Sequence, residues 1–247
     1  MASTSTETAR PSEAWFLTTH WSVVLSAREQ QSSQSAAALE TLCRTYWQPL
    51  YAYVRRQGHS SADAQDLTQE FFARLLQKEN LRSVAPAKGK FRTFLLVMLK
   101  RFLASEWDKA RAQKRGGGKV FNVDWASAET RFLQQPVEQL TPEKVFEQRW
   151  ALTLLDQVYG RLEREYQEQG RGSLFDTLQF ALTGSRSAVP YVDLARRLQT
   201  TDGAVRVAVH RLRQRYRELL RQAIADTVSS PEEVEEELRH LLQAVAG

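Results

Sequence analysis

The sequence predicts an all-α chain, two helical domains joined by a flexible basic linker, on three observations. Apolar residues recur at intervals of three and four along nearly the whole length. No run alternates with a period of two for long enough to form a sheet strand. The helical stretches are separated by Gly-, Pro- or Ser-containing breaks. With 247 residues, 42% hydrophobic and 10% aromatic, one or two packed cores are affordable and a disordered chain is excluded.

The elements follow in order. Residues 1–13 are rich in Ser, Thr and Glu and are expected to be disordered. A first domain is expected over 14–113, where Trp15, Phe16, Trp21, Val23, Val24 and Leu25 can start a packed helix. Leu39, Leu42, Cys43, Tyr46, Trp47, Leu50, Tyr51 and Val54 then keep a helical period from Ala36 to Arg56, with Pro49 as a candidate kink and Gly58 as the stop. Ser60 followed by Asp63 is a capping-box pattern. It precedes a helix with Ala64, Leu67, Phe71 and Leu75 on one face and Asp66, Gln69, Glu70 and Arg74 elsewhere. After a loop at 85–89, a helix over Phe91–Gln113 carries Phe91, Phe94, Leu95, Met98, Phe102 and Leu103 with lysine and arginine interleaved. Phe94 and Phe102 fall on its core period, which leaves Lys100, Arg101 and Trp107 as the candidates for ligand contact.

Residues 114–140, with three glycines, poor periodicity and Pro136, are expected to be the linker. A second domain over 141–225 opens with Thr141 as N-cap and Pro142 at the first helical position. Its Phe146, Trp150, Leu154, Leu155, Val158, Leu162 and Tyr166 face a core, and Ser173 with Asp176 marks another helix start. The stretch Tyr191–Leu220 then reads as a short helix, a tight turn and a longer helix. Leu194, Ala195 and Leu198 stripe the first, Val205, Ala208, Val209 and Leu212 the second, while Thr200, Thr201 and Asp202 suit the second helix's N-terminus. With those stripes inward, Arg206, Val207, His210, Arg211, Arg213 and Gln214 point outward, where guanidinium groups can take a phosphate or a guanine edge. Alone, the pattern describes a DNA-reading helix-turn-helix and an ordinary hairpin with a solvated basic face equally well. Residues 226–247 form an extension whose Val234, Leu238, Leu241 and Leu242 make one apolar face opposite an acidic one. Packing on the second domain is expected, and folding of the acidic face over Arg206–Arg217 is the alternative.

Charge narrows the partners. A net charge of +5 permits a polyanion without requiring one. Its distribution says more. Between residues 82 and 119 stand Arg82, Lys88, Lys90, Arg92, Lys100, Arg101, Lys109, Arg111, Lys114, Arg115 and Lys119 against only Glu106 and Asp108, whereas Glu232, Glu233, Glu235, Glu236 and Glu237 crowd the end. One cysteine, Cys43, precludes an internal disulfide, and four scattered histidines lack ligand spacing, so no metal and no cofactor are expected. No apolar run approaches the ~18 residues of a membrane span and the first residues lack a signal-peptide core, so a cytoplasmic protein is expected. Arg115–Lys119, RGGGK, lacks the earlier glycine of a phosphate loop and has Val120 where Ser or Thr would hold magnesium. No catalytic set can be matched, and an enzyme is not expected.

Three segments together resemble the bacterial RNA polymerase sigma factors of the extracytoplasmic-function group of the sigma-70 family. DAQDLTQEFFARLL at Asp63–Leu76 looks like the helix that grips the clamp helices of the polymerase's largest subunit. KGKFRTFLLVMLKRFLASEWDKARAQKR at Lys88–Arg115 is similar to the promoter-melting segment. Tyr191, Asp193, Leu194, Ala195, Leu198, Val205, Arg206, His210, Arg211 and Arg213 follow the order of the upstream-element reader. The resemblance implies a region 2-like domain at 14–113 and a region 4-like domain at 141–225. It implies core RNA polymerase as partner, through the clamp helices and the flap, together with promoter DNA and possible control by an anti-sigma protein. Asp63, Asp66, Leu67, Gln69 and Glu70 would bind polymerase. Lys100, Arg101, Trp107, Lys109, Arg111, Lys114 and Arg115 would melt the promoter or hold its phosphates. Thr201, Asp202, Gly203, Arg206, Val207, His210, Arg211 and Arg213 would read the upstream element. The sequence departs from the family at Gln199, where glycine is usual, at Val207 and Ala208 in the reading helix, and at Arg101 in place of asparagine. A stand-alone helix-turn-helix regulator and a helical adaptor without DNA binding remain the alternatives.

Overall fold

The computed structural model describes residues 33–75, 90–110, 124–133, 140–182, 190–228 and 230–246, apart from the side chains of 33–42 and 108–110. Among these residues there are nine α-helices and no strand. The all-α expectation holds. The helices are α1 (Ser33–Arg56), α2 (Ser61–Leu75), α3 (Phe91–Ala110), α4 (Trp125–Leu133), α5 (Pro142–Glu168), α6 (Gly172–Leu178), α7 (Tyr191–Arg197), α8 (Asp202–Ala225) and α9 (Val234–Ala246). The chain divides into two compact units, residues 1–153 with 224–247, and residues 154–223. The expected tail at 1–13, the packed start at 14–25 and the loop at 85–89 lie outside the described residues.

In the first unit, α1 supplies a dense apolar stripe of Cys43, Tyr46, Trp47, Leu50, Tyr51 and Val54, all buried. The helix runs through Pro49 without ending. Ser60 accepts a hydrogen bond from the Asp63 amide at 3.1 Å, so the capping pattern starts α2 as expected. The buried face of α2 is Ala64, Thr68, Phe71, Phe72 and Leu75. Thr68 can sit there because its hydroxyl donates to the Ala64 carbonyl at 2.7 Å. Leu67 is displaced to the half-exposed edge, a correction to the predicted core face. Phe91, Leu95, Leu99 and Phe102 of α3 close the core. Tyr46 meets Phe91 edge-on with centroids 5.4 Å apart, and Phe71 meets Phe102 at 5.8 Å.

A further helix, α4, occurs within the stretch expected as linker. Trp125 packs against Trp47 at 5.0 Å and Tyr51 at 5.6 Å. Glu129 takes a two-point hydrogen bond from Arg55, with Nε to Oε2 at 2.9 Å and Nη2 to Oε1 at 2.7 Å. Sequence periodicity missed α4 because nine residues carry only two buried positions, Ala128 and Phe132. Helix α5 starts as expected, with Thr141 accepting from the Lys144 amide at 3.3 Å, and brings Val145, Phe146 and Trp150 into the same unit.

The last helix groups with this unit; it was expected to pack on a second domain over 141–225, and its His240 meets Glu147 of that span at 3.0 Å. Val234, Glu237 and Leu241 are its buried residues. Glu237 bonds to Arg92, whose guanidinium also donates to Glu147 at 2.6 Å and lies 4.5 Å over the Trp150 ring. The extension meets arginine in α3 through Glu237.

The second unit is built on the later turns of α5, where Leu154, Val158 and Leu162 are buried with Phe175 and Leu178 of α6. Helix α6 begins at Gly172 without a side-chain cap, so Ser173 and Asp176 do not act as its start signal. Leu194 and Ala195 of α7 and Val205, Val209 and Leu212 of α8 are buried as the spacing requires. Arg215 clamps Glu165 through two hydrogen bonds of 2.8 and 2.9 Å, tying α8 to α5. In the turn between α7 and α8, Gln199 has φ of +51°, the one positive value outside glycine among the described residues.

Two stability measurements follow. Gln199→Gly removes the left-handed strain and is expected to stabilise the 154–223 unit by about 0.5–1 kcal/mol in urea denaturation. Arg55's hydrogen bond holds the Glu129 carboxyl below its ordinary pKa. That contribution is fully present above the unfolded carboxylate value, about 4.3, and is lost as pH falls through the depressed folded value. Glu129→Gln should cost about 1–3 kcal/mol at neutral pH and flatten the decline of stability between about pH 5 and 3.

Candidate functional site

Two exposed surfaces carry the predicted residues. In the first unit, α2 and α3 flank a groove of about 720 Å³, with the end of α1 and the Gly58–His59 turn closing it. Asp63, Asp66 and Leu67 line one side, Lys100, Leu103, Ala104, Glu106 and Trp107 the other, and Tyr53, Gln57 and His59 the end. Residues predicted for polymerase binding and residues predicted for melting thus border one cavity. Tyr53, Gln57, His59 and Leu103 were not singled out beforehand, because their role depends on the pairing of helices far apart in sequence.

The groove's charge is unequal. Asp63, Asp66 and Glu106 face it against the single ammonium of Lys100. Lys100 is itself engaged by Glu143 at 2.7 Å, which raises its pKa and lowers that of Glu143. A phosphate entering here meets net repulsion, whereas a basic helix meets carboxylates. Gln69 and Glu70 are half-buried, and Glu70 accepts from Arg74 at 2.7 Å. Arg74 continues to Glu106 at 2.6 Å and stacks 4.9 Å over Phe102, so the α2–α3 spacing is braced by an ion chain.

From the groove's rim outward, α3 presents Val97, Lys100, Arg101, Ala104 and Trp107 along one exposed stripe. Trp107 is 70% exposed, while Phe91 and Phe102 are core and Phe94 is half-buried against Phe91 at 5.9 Å. Phe102 in the core and Trp107 on the surface agree with the spacing, whereas Phe94, expected in the core, is only half-buried. An exposed indole beside two cations is the chemistry that stacks on a base and holds its backbone. Arg111, Lys114 and Arg115, and the side chain of Lys109, lie outside the described residues.

The second surface is the outer side of α8. Thr201 caps it by accepting from the Ala204 amide at 3.2 Å. Gly203, Arg206, Val207, His210, Arg211, Arg213 and Gln214 are exposed and Asp202 half-buried. Asp202 accepts from Arg206 Nε at 2.9 Å, and the same guanidinium lies 5.6 Å over the Tyr191 ring. Arg206 is thereby held in one orientation. Arg213 differs, since its Nε donates to the Ala181 carbonyl at 3.0 Å. It braces the end of the α6 segment while staying exposed alongside Arg206, Val207, His210, Arg211 and Gln214.

Residues 42–113 match the family model of Sigma-70 region 2. This segment is a sigma-70 region 2 domain. It contains the groove, α2 and the exposed stripe of α3, so both predicted surfaces of the first unit fall in the matched residues. Region 2 supports a sigma-factor role, in binding RNA polymerase and recognising promoters. No curated protein and no solved structure matches the chain. Among the described residues no helix is long and apolar enough to cross a membrane.

The assignment of rings within region 2 is open to direct measurement. Phe102→Ala should cost about 3–5 kcal/mol of stability, and Trp107→Ala no more than about 0.5 kcal/mol, by urea unfolding.

Proposed function

We propose that this chain is an RNA polymerase sigma factor of the extracytoplasmic-function kind, acting where the polymerase acts, in the cytoplasm. The single observation that carries the reading is the groove of region 2, where carboxylates of α2 and an exposed tryptophan of α3 border one cavity. Asp63, Asp66 and Glu70 offer charge to basic side chains of core polymerase, with Gln69 and Leu67 adding an amide and an apolar edge. Trp107 receives an unstacked promoter base, while Lys100 and Arg101 bind the adjoining phosphates and Lys109, Arg111, Lys114 and Arg115 extend the basic track.

In the second unit, α7, the strained turn and α8 serve as the reader of the upstream element. The capped N-terminus at Thr201–Gly203 approaches a phosphate, where unpaired amides and the helix dipole favour an anion. Arg206, His210 and Arg211 reach base edges, and Val207 contacts a thymine methyl or excludes a polar edge. Arg213 acts indirectly, by holding the end of the α6 segment.

Run-off transcription with purified core polymerase, on the DNA upstream of this chain's own coding sequence, tests the proposal. A specific start that depends on the chain is expected; no start on any promoter fragment would overturn it. Asp66→Arg should abolish core binding. Trp107→Ala should keep core binding but lower the open-complex fraction, and Arg211→Ala should weaken promoter binding by about 1–3 kcal/mol without affecting core.

A further inference from the structure

Helix α9 meets the rest of the first unit through Val234 and Leu241 and through a cluster of charged contacts. Of its residues only Val234, Glu237 and Leu241 are buried, while Leu242 and Val245 are exposed. Glu237, 0% exposed, bonds to Arg92 through Oε1. Its Oε2 lies 2.9 Å from Lys90 Nζ but off the hydrogen-bond direction, so that buried oxygen makes no hydrogen bond. Glu236 adds a second carboxylate 3.3 Å from Lys90, and His240 Nε2 sits 3.0 Å from the Glu147 carboxylate that also serves Arg92.

The partners of α9 are notable for where they lie. Lys90 and Arg92 stand at the N-terminal end of α3, where the helix dipole is positive and two cations are disfavoured unless anions neutralise them. The carboxylates of α9 do so. They also occupy the first two cations of the helix whose exposed stripe carries Lys100, Arg101 and Trp107. A docked element with two apolar anchors and an incompletely satisfied carboxylate is the kind of segment that opens below the cost of global unfolding.

We propose that α9 is an intramolecular competitor of nucleic acid: Glu236 and Glu237 hold Lys90 and Arg92 until phosphates take those cations and α9 leaves. This rests on the reading of α3 as a nucleic-acid-binding helix. By linkage, weakening α9 docking tightens nucleic-acid binding up to the limit set by the docking equilibrium, and bound nucleic acid loosens α9. The competition lies wholly within the first unit, and unit 154–223 takes no part in it.

The test uses the full chain with a single-stranded DNA oligonucleotide. Hydrogen exchange of the α9 amides should speed up on saturation with the oligonucleotide, while α1 and α2 keep their protection. Glu236→Gln, at an exposed position, should tighten binding about two- to threefold. Glu236→Gln with Glu237→Gln should tighten it about tenfold and steepen the salt dependence by about one released ion. Should the double variant fail to fold, the exchange experiment and the single variant decide. Oligonucleotide binding with α9 protection unchanged and affinity unaltered in Glu236→Gln overturns the competition alone. No binding by the parent chain at low salt overturns both the competition and the nucleic-acid reading of α3.

Discussion

A single buried guanidinium organises the first unit. Arg92 is 3% exposed, lies over the face of Trp150, and is bonded by Glu147 from α5 and Glu237 from α9. An isolated arginine could not reside there, because stripping water from the charge costs several kcal/mol unless carboxylates and an aromatic face replace it. The chain meets that requirement from three helices separated by about fifty residues and then about ninety. Each helix is placed as much by the demand of Arg92 as by its own apolar stripe.

The consequence is that region 2, although the match spans 42–113, is not closed by those residues alone. Trp125 and Glu129 of α4 cover Trp47, Tyr51 and Arg55 on one side, and Glu147 and Trp150 of α5 with Glu237 of α9 cover Arg92 on another. The exposed candidate surface is what these neighbours leave uncovered: the acidic edge of α2, the groove, and the Val97–Trp107 side of α3. Packing thus selects which charges are structural and which are available. Arg55, Arg74 and Arg215 are committed to helix contacts, whereas Arg101 and Arg211 project outward.

Much of this was legible from spacing. The period of three and four located α1, α2, α3 and α8 and separated core Phe102 from exposed Trp107, because amphipathic spacing directly encodes burial. Capping chemistry at Ser60, Thr141 and Thr201 placed three helix starts, and Gln199, where glycine is usual, has φ of +51°. What escaped was long-range pairing. Glu237 lies three residues after Val234 and four before Leu241, on the apolar stripe of α9, and that misplaced carboxylate was the available signal for a buried partner. Nothing local could name Arg92 as that partner. Likewise α4 was too short for a period, and nothing local could show that Arg213, exposed as expected, also donates to the Ala181 carbonyl thirty-two positions earlier.

The central claim, that Arg92 and Glu237 depend on one another in a buried site, is tested most directly by a double-mutant cycle on the full chain. Arg92→Met, Glu237→Gln and the pair would be compared by urea denaturation at neutral pH. The account predicts single losses of about 3–5 kcal/mol, with a coupling energy of about 1–3 kcal/mol because each variant strands the other's charge. Additive effects within about 0.5 kcal/mol would contradict it.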